Sequence, residues 1–305
     1  MSMSMRQAWF VIPFTAFLLM GGAAAAFYFY FSSAPTTLRF AVGSPASGDA
    51  RLVQALAQQF VREGADIRLV PVFEEGAAAA AHALDANEAD LAIVRRDIAY
   101  PQAGQVIAEL RESFVAIIVP AAGSQATGGA KAQRKQSVKA KKLKAIERIE
   151  DLEGRRIGVV GHSLVNTELL DVILKQYQIA PDKVTVVPLD PRDIDGSLRN
   201  NTVDVIFAIG PVAGPVIAEA IAVSSNGKIG PTLLKIGASE AIAERHPVYE
   251  TTEIKAGVLG GQSPLPGQTV ETISVKHYIV GRSALREDTV AEFTRLLFAA
   301  LRPTI

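Results

Sequence analysis

Residues 38–63 read LRFAVGSPASGDARLVQALAQQFVRE. The first five are apolar except for Arg39 and suit a short strand, and GSPASGD is a turn rich in glycine and serine. Beyond it Leu52, Leu56 and Phe60 recur every four residues with Val53 beside them, which predicts an amphipathic helix from about Ala50 to Glu63. The same order of strand, polar turn and helix repeats outward. Strands are expected at 67–73, 89–94 and 115–120, and an alanine-rich helix ends at Leu84. A second series starts at Asp151, with strands at 157–160, 183–189 and 203–208 and helices at 166–178 and 215–223. The tail returns to a strand at 274–280 and a helix at 288–301, in which Val290, Phe293, Leu296 and Leu297 share a face. This alternation predicts an α/β protein with a largely buried sheet.

Two series in one chain predict two lobes, and a tail that completes the first would leave a central cleft crossed by two connections. The expected division is a short tail at 1–8, an apolar segment at 9–31, lobe 1 at 38–122 and 258–305, a basic insert at 123–149, and lobe 2 at 150–257. The 305 residues are enough for one large or two modest cores.

Residues 9–31, WFVIPFTAFLLMGGAAAAFYFYF, carry no charge. As a helix they would span roughly 34 Å at about 1.5 Å per residue, enough to cross a hydrocarbon layer of about 30 Å. Trp9 and the aromatic run Phe27 to Phe31 suit the two interfaces. The favoured reading is an uncleaved single-pass anchor in the lipid bilayer. A cleaved signal peptide competes, since Ala23 to Ala26 offer small residues, but cleavage there would expose five aromatics. A buried core helix is the third reading, and the uninterrupted length opposes it.

Residues 121–146 hold seven Lys or Arg and no acid. A solvated loop outside the cleft is the expectation, ahead of a basic helix approaching anionic lipid headgroups or a partner protein. The stretch has no aromatic residue for base stacking, and the whole chain balances 31 basic against 31 acidic residues, so nucleic acid is not an expected partner.

The chemistry of catalysis is missing. There is no cysteine, and His82, His162, His246 and His277 show no HxH, HxxxH or HExxH spacing. No GxSxG, GxGxxG or GxxxxGK[ST] occurs. No cofactor or metal is expected, and the enzyme class is set aside. The remaining signal is a set of polar or glycine-bearing turns, each after a strand, at 43–49, 74–76, 95–97, 161–167 and 210–214. Ligands of open α/β sheets bind beyond the carboxyl ends of strands, where helix N-termini present free N–H groups. Such turns also need glycine and capping residues for structural reasons alone.

RFAVGSPASG (39–48), NEADLAIVRRDIAY (87–100), EDLEGRRIGVVG (150–161), NNTVDVIFAIGPVAGP (200–215), HPVYETTEIKAG (246–257) and the region from Val275 to Leu301 together resemble the TAXI family, solute-binding proteins associated with one class of tripartite TRAP transporters. The resemblance implies the two-lobed type II periplasmic binding protein fold, here preceded by one transmembrane helix. It implies an extracytoplasmic receptor for a small organic anion, a dicarboxylate or an amino acid, working with TRAP-type membrane subunits. Its place would be the bacterial inner membrane, with the soluble domain facing the periplasm. A membrane-anchored sensor or scaffold that uses the fold without transport is the alternative. Some anchored relatives continue beyond the equivalent of Ile305 to a second hydrophobic segment, so the chain reads as a truncated member.

The sequence departs from the family at Glu74 and Glu75, at Arg95 and Arg96, and around Ser163, where glycine-, serine- or threonine-bearing turns are usual. Candidate ligand-binding residues are Gly43, Ser44, Ser47, Gly48, Glu74, Glu75, Arg95, Ser163, Asn166, Thr167, Gly210, Tyr249 and Thr252. Gly43 and Gly48 would admit a ligand close to the backbone, with Ser44 or Ser47 as donors; turn and cap roles are the alternative. Arg95 would clamp a carboxylate bidentately or, in the competing reading, pair with Glu74 or Glu75. Ser163, Asn166 and Thr167 would bind from the second lobe or cap its helix. Tyr249 and Thr252 follow the family's late segment near the cleft.

Overall fold

The computed structural model describes residues 20–22, 35–45, 47–121, 145–161, 164–227, 229–260 and 264–301. The expected anchor falls outside these residues except for a helical turn at 20–22, and so do residues 122–144 of the basic stretch. Among the described residues no helix is long and apolar enough to cross a membrane.

The chain forms two compact units. Unit 1 comprises the described residues of Met1–Ile93, Pro101–Ile107 and Val280–Ile305. It contains β1 (Thr36–Val42), α1 (Gly48–Arg62), β2 (Ile67–Phe73), α2 (Ala77–Asp85), most of β3 (Leu91–Arg95), the start of β4 (Gly104–Val119), and a later helix, Glu287–Leu301. β1 runs parallel to β2, with Thr36 opposite Ile67 and Val42 opposite Phe73, and parallel to β3, with Phe40 opposite Leu91. The order is β2-β1-β3. In α1 the buried face is Ala50, Val53, Leu56 and Phe60, a spacing of three and four residues, so Leu52 lies off the core stripe. Phe293 of the late helix meets Phe40 and Phe60 edge to face, with ring centroids 6.1 and 6.3 Å apart, which closes this core.

Unit 2 comprises Val94–Tyr100 and the described residues of Ala108–Ile279. After the rest of β4 it contains β5 (Arg156–Val160), α3 (Leu164–Gln176), β6 (Thr185–Leu189), α4 (Ile194–Arg199), β7 (Val205–Gly210), α5 (Pro215–Ser224), β8 (Thr232–Leu233), α6 (Ser239–Arg245), β9 (Glu250–Ile254) and most of β10 (Val270–Arg282). The helix Glu287–Leu301 is therefore α7. The order is β4-β7-β5-β6, with β5 parallel to β6 and β7 and β4 antiparallel to β7. Neighbouring residues of one strand, such as Ile117 and Ile118 or Ile206 and Phe207, belong to different apolar clusters. This sheet is covered on both faces, which explains the near-continuous apolar runs of β5 and β7.

Each unit thus repeats one plan, strand–helix–strand–helix–strand with the first strand in the middle: β2-β1-β3 and β6-β5-β7. The outer strands β2 and β6 each contain a proline, Pro71 and Pro188, which cannot donate to a ladder and so discourages pairing at the edge.

The division differs from the expected boundaries at 122 and 258. The chain passes between units after Ile93, Tyr100, Ile107 and Ile279, three times inside a strand, because β3, β4 and β10 each run on from one unit to the other. The strand expected at 115–120 is the end of β4, whose 16 residues start at Gly104. Its first half, GQVIAELRES, mixes polar and apolar residues and shows no apolar run. β8, β9, α4 and α6 are short elements that the periodicity also did not reveal.

Candidate functional site

In unit 2 the turns after parallel strands gather polar side chains. Arg95, the last residue of β3, is only 8% exposed. Its Nε donates to Asp97 Oδ1 (3.1 Å) and its Nη2 to Asp97 Oδ2 (2.6 Å). Nη1 donates to Asn166 Oδ1 (3.2 Å), and Asn166 Nδ2 donates to the Val160 carbonyl at the end of β5 (3.0 Å). Asn166 is therefore not a helix cap; it stands in the first turn of α3 and bridges β5 to the guanidinium. Gly161 makes room for it. Its φ is +99°, and a Cβ there would lie 3.2 Å from Asn166 Nδ2.

The side chain expected beside Arg95 in the salt-bridge reading was that of Glu74 or Glu75. Asp97 takes that place instead. Two residues along the same turn, it reaches the guanidinium fork without ordering a second long side chain, and its own side chain is only 1% exposed. Tyr249, buried just before β9, lies within reach of this pair's field. Burial, and secondarily the charge of Asp97, push its hydroxyl up to about 12, so it is a neutral donor at any physiological pH.

The sequence reading missed a second cluster. Arg111 Nη2 approaches His277 Nδ1 at 3.1 Å, and His277 Nε2 lies 3.0 Å from Ser113 Oγ. His277 and Ser113 are buried. Burial, then the charges of Arg111 and Arg95, push the imidazole down to about 2, so His277 is neutral. The signal was present as strand alternation. Arg111 and Ser113 share a strand face with the core residues Val115 and Ile117, and His277 shares one with Ile273 and Val275. Polar residues on a core-facing row require partners, and these supply one another.

The other candidates of unit 2 are spread around this network. Gly210 ends β7 opposite Phe114, so Ser113 stands one residue past the register position at which β7 ends. Thr167 is half-buried in α3, Thr252 is half-buried on β9 opposite Thr272, and Ser163 lies outside the described residues.

In unit 1 the turns after β1 and β2 adjoin. A Cβ on Gly43 would lie 3.8 Å from Gly76 Cα and 3.8 Å from Ser47 Oγ. Ser47 caps α1, accepting from the Ala50 N–H at 3.1 Å, which is the structural role weighed against ligand binding. Ser44 is exposed and its carbonyl accepts from the Ser47 N–H at 2.9 Å, while Gly48 begins the helix in open space. The Glu74 N–H donates to the Val42 carbonyl at 2.9 Å; the Glu74 side chain is half-buried and Glu75 is exposed. Among the described residues no group of three or more His, Asp or Glu is arranged to hold a metal ion.

Two α/β units whose polar turns follow parallel strands, with a late helix closing the first core, define a type II periplasmic-binding-protein-like fold. Among solved structures the chain is similar to XAC2383 from Xanthomonas citri bound to chloride ion (9% identity, TM-score 0.51, covering 88% of this chain and 85% of that one). It is also similar to the periplasmic aliphatic sulphonate binding protein SsuA from Escherichia coli (13% identity, TM-score 0.47, covering 87% and 71%). A third is the regulatory domain of MexT, a transcriptional activator in Pseudomonas aeruginosa (14% identity, TM-score 0.46, covering 88% and 100%). The chain belongs to the NMT1-like family, whose model matches residues 51–304. No curated protein matches it.

Proposed function

We propose that the protein is a membrane-anchored sensor or scaffold module that uses the binding fold without transport, and that its ligand is a small organic acid or an amino acid. The observation carrying this reading is the Arg95–Asp97 ion pair. The guanidinium that would clamp a ligand carboxylate already has a built-in carboxylate on its Nε and Nη2 edge. Recognition then falls to neutral donors around the pair, with Asn166, Tyr249 and the backbone near Gly161 and Gly210 as candidate contacts. Residues 9–31 would hold the domain at the periplasmic face of a bacterial inner membrane.

The second reading is a solute receptor for TRAP-type membrane subunits. It is favoured by the TAXI-like segments at 39–48, 87–100 and 200–215.

A thermal-shift screen of organic acids, amino acids and amines on the purified protein tests the ligand class, because a ligand of the native state raises apparent stability by mass action. A reproducible shift from acids or amino acids is expected. A shift from amines alone, or none at all, overturns the assignment. Mild detergent extraction separates the two roles: co-purification with polytopic transporter subunits would replace the sensor reading by the transport one. Arg95→Ala is expected to lower the melting temperature of the unliganded protein, with affinity for any screen hit changing less than about fivefold, a bond-scale effect.

A further inference from the structure

The Arg111–His277–Ser113 cluster has a direction. A guanidinium has donors and no acceptor, so at the 3.1 Å contact Arg111 donates and His277 Nδ1 accepts. With Nδ1 used as an acceptor, the single proton of the neutral ring must sit on Nε2. Nε2–H then donates to Ser113 Oγ across 3.0 Å. Ser113 Oγ is thereby fixed as an acceptor toward His277, and its own hydroxyl hydrogen points elsewhere. Among the described residues no acceptor takes that hydrogen. The side chain belongs to a residue only 2% exposed, where an unused donor costs free energy comparable to a lost hydrogen bond. Three donors thus run in series from Arg111 through His277 to Ser113, each polarising the next.

The place of the open donor matters as much as its chemistry. Register sets Phe114 opposite Gly210, so Ser113 lies next to the carboxyl end of β7. Arg95 ends β3, and the Val160 carbonyl held by Asn166 ends β5. Ligands of α/β sheets bind at this end. We propose that Ser113 is a ligand-binding residue, its hydroxyl donating to a carboxylate or carbonyl oxygen of the small molecule, with His277 and Arg111 as positioning residues that fix the direction of the donor. This rests on the binding reading above and adds to it: the ligand must present an acceptor, not a donor, to Ser113.

The test has two arms on the full chain in detergent. With histidines labelled by 15N, long-range 1H–15N NMR reads the tautomer of His277, assigned by its loss in His277→Gln. The Nε2–H form is expected throughout pH 5–8; an Nδ1–H form, or titration within that range, overturns the proposal. In the second arm succinate and L-glutamate are titrated calorimetrically. Ser113→Ala should weaken binding of the acid that the wild type takes by about tenfold, as for one hydrogen bond to a charged group, and should also lower the unliganded melting temperature, because the buried His277 Nε2–H loses its acceptor. His277→Gln, whose amide N–H can stand in for Nε2–H, should keep affinity within about threefold of wild type, on the same bond-energy scale. Equal affinity in Ser113→Ala removes this inference and leaves the binding site standing. If the wild type binds neither acid, the site reading falls and this inference with it.

Discussion

Asp90 and Asp204 hold the same position in the two copies of the strand–helix–strand–helix–strand plan, one residue before the third strand of each unit. The segments leading to them, LDANEAD (84–90) and LRNNTVD (198–204), end in the same turn. Asn87 and Asn201 are left-handed at φ 62° and 54°, and the N–H of each donates to the buried leucine three residues back, at 3.2 and 3.0 Å. Each aspartate then accepts from the backbone N–H of an arginine in the first strand, Arg39 or Arg156, at 2.9 Å in both cases. The same guanidinium reaches back to both carboxylate oxygens.

The units differ in the third partner. Asp90 also takes a guanidinium from Arg282 at 2.9 Å, contributed by the end of β10, 192 residues along the chain. Around Asp204 the extra group is local: Asn201, whose Oδ1 accepts from Arg156 Nη2 at 3.1 Å and whose carbonyl accepts from Nη1. The carboxylates are 9% and 20% exposed, respectively. A local turn and one arginine suffice to seat the third strand. The second arginine in unit 1 fastens the returning tail, which supplies α7 and Phe293 to that core.

The largest expected effect follows directly. Asp90→Ala leaves two guanidinium groups without their shared carboxylate and should destabilise by about 2–4 kcal/mol, near the lower end for breaking a buried pair because both arginines keep some solvent. Asp204→Ala should cost about 1–2 kcal/mol, between the buried and exposed cases. Urea unfolding of both variants measures this, and equal losses would show that Arg282 contributes nothing to the difference.

An intermediate effect is the pH dependence, which sharpens the contrast between carboxylates and imidazole. Burial raises Asp90 and Asp204, but hydrogen bonds and charge from Arg39 with Arg282, and from Arg156 with Arg155, outweigh it and hold both carboxyls below their usual value. Their stabilisation is complete above the unfolded value of about 3.9 and is lost as pH falls through the lower folded value. His277 acts in another window. With its folded pKa near 2, the unfolded chain binds the extra proton below about 6.5, so stability should already decline from there downward, by up to about 1.4 kcal/mol per pH unit. Urea midpoints across pH 4.5–7.5 should slope in the wild type and flatten in His277→Gln. An unchanged slope would place the imidazole in solvent.

The smallest effect concerns the paired turns. Asn87→Ala and Asn201→Ala should each cost about 1 kcal/mol, since alanine lacks the side-chain oxygen and tolerates left-handed φ less well. Asn→Gly at either position should cost less than the alanine. A loss above about 2 kcal/mol at one site only would mean that the contact of its side-chain oxygen with arginine (Arg282 for Asn87, Arg156 for Asn201), not the backbone, dominates.

Much of this plan was legible in the chain. Strands 67–73 and 157–160 and the helix at 215–223 lie within a residue of β2, β5 and α5, because apolar periodicity and turn residues are local signals. All five polar turns do follow strands. What they hold was less legible. The sequence marks Arg95 as an anion-pairing residue but points its side-chain partner to Glu74 or Glu75; Asp97, two residues along, is within easier reach. Ser47 satisfied a helix end, as its position before Gly48 allowed. Arg111 and Ser113 went unread because the strand that carries them was placed only from Val115 onward.

The sequence by itself determined the α/β character and the order of the main strands and helices, since these depend on residue types and on spacings within a dozen positions. Only the tertiary structure decided who pairs with whom. It joined Arg95 to Asn166, 71 residues away, Ser113 to His277, 164 away, and Asp90 to Arg282, 192 away. A buried polar group must find a partner of matching geometry, and strand register, which brings distant residues to one sheet end, decides which partner is within 3 Å or so of it.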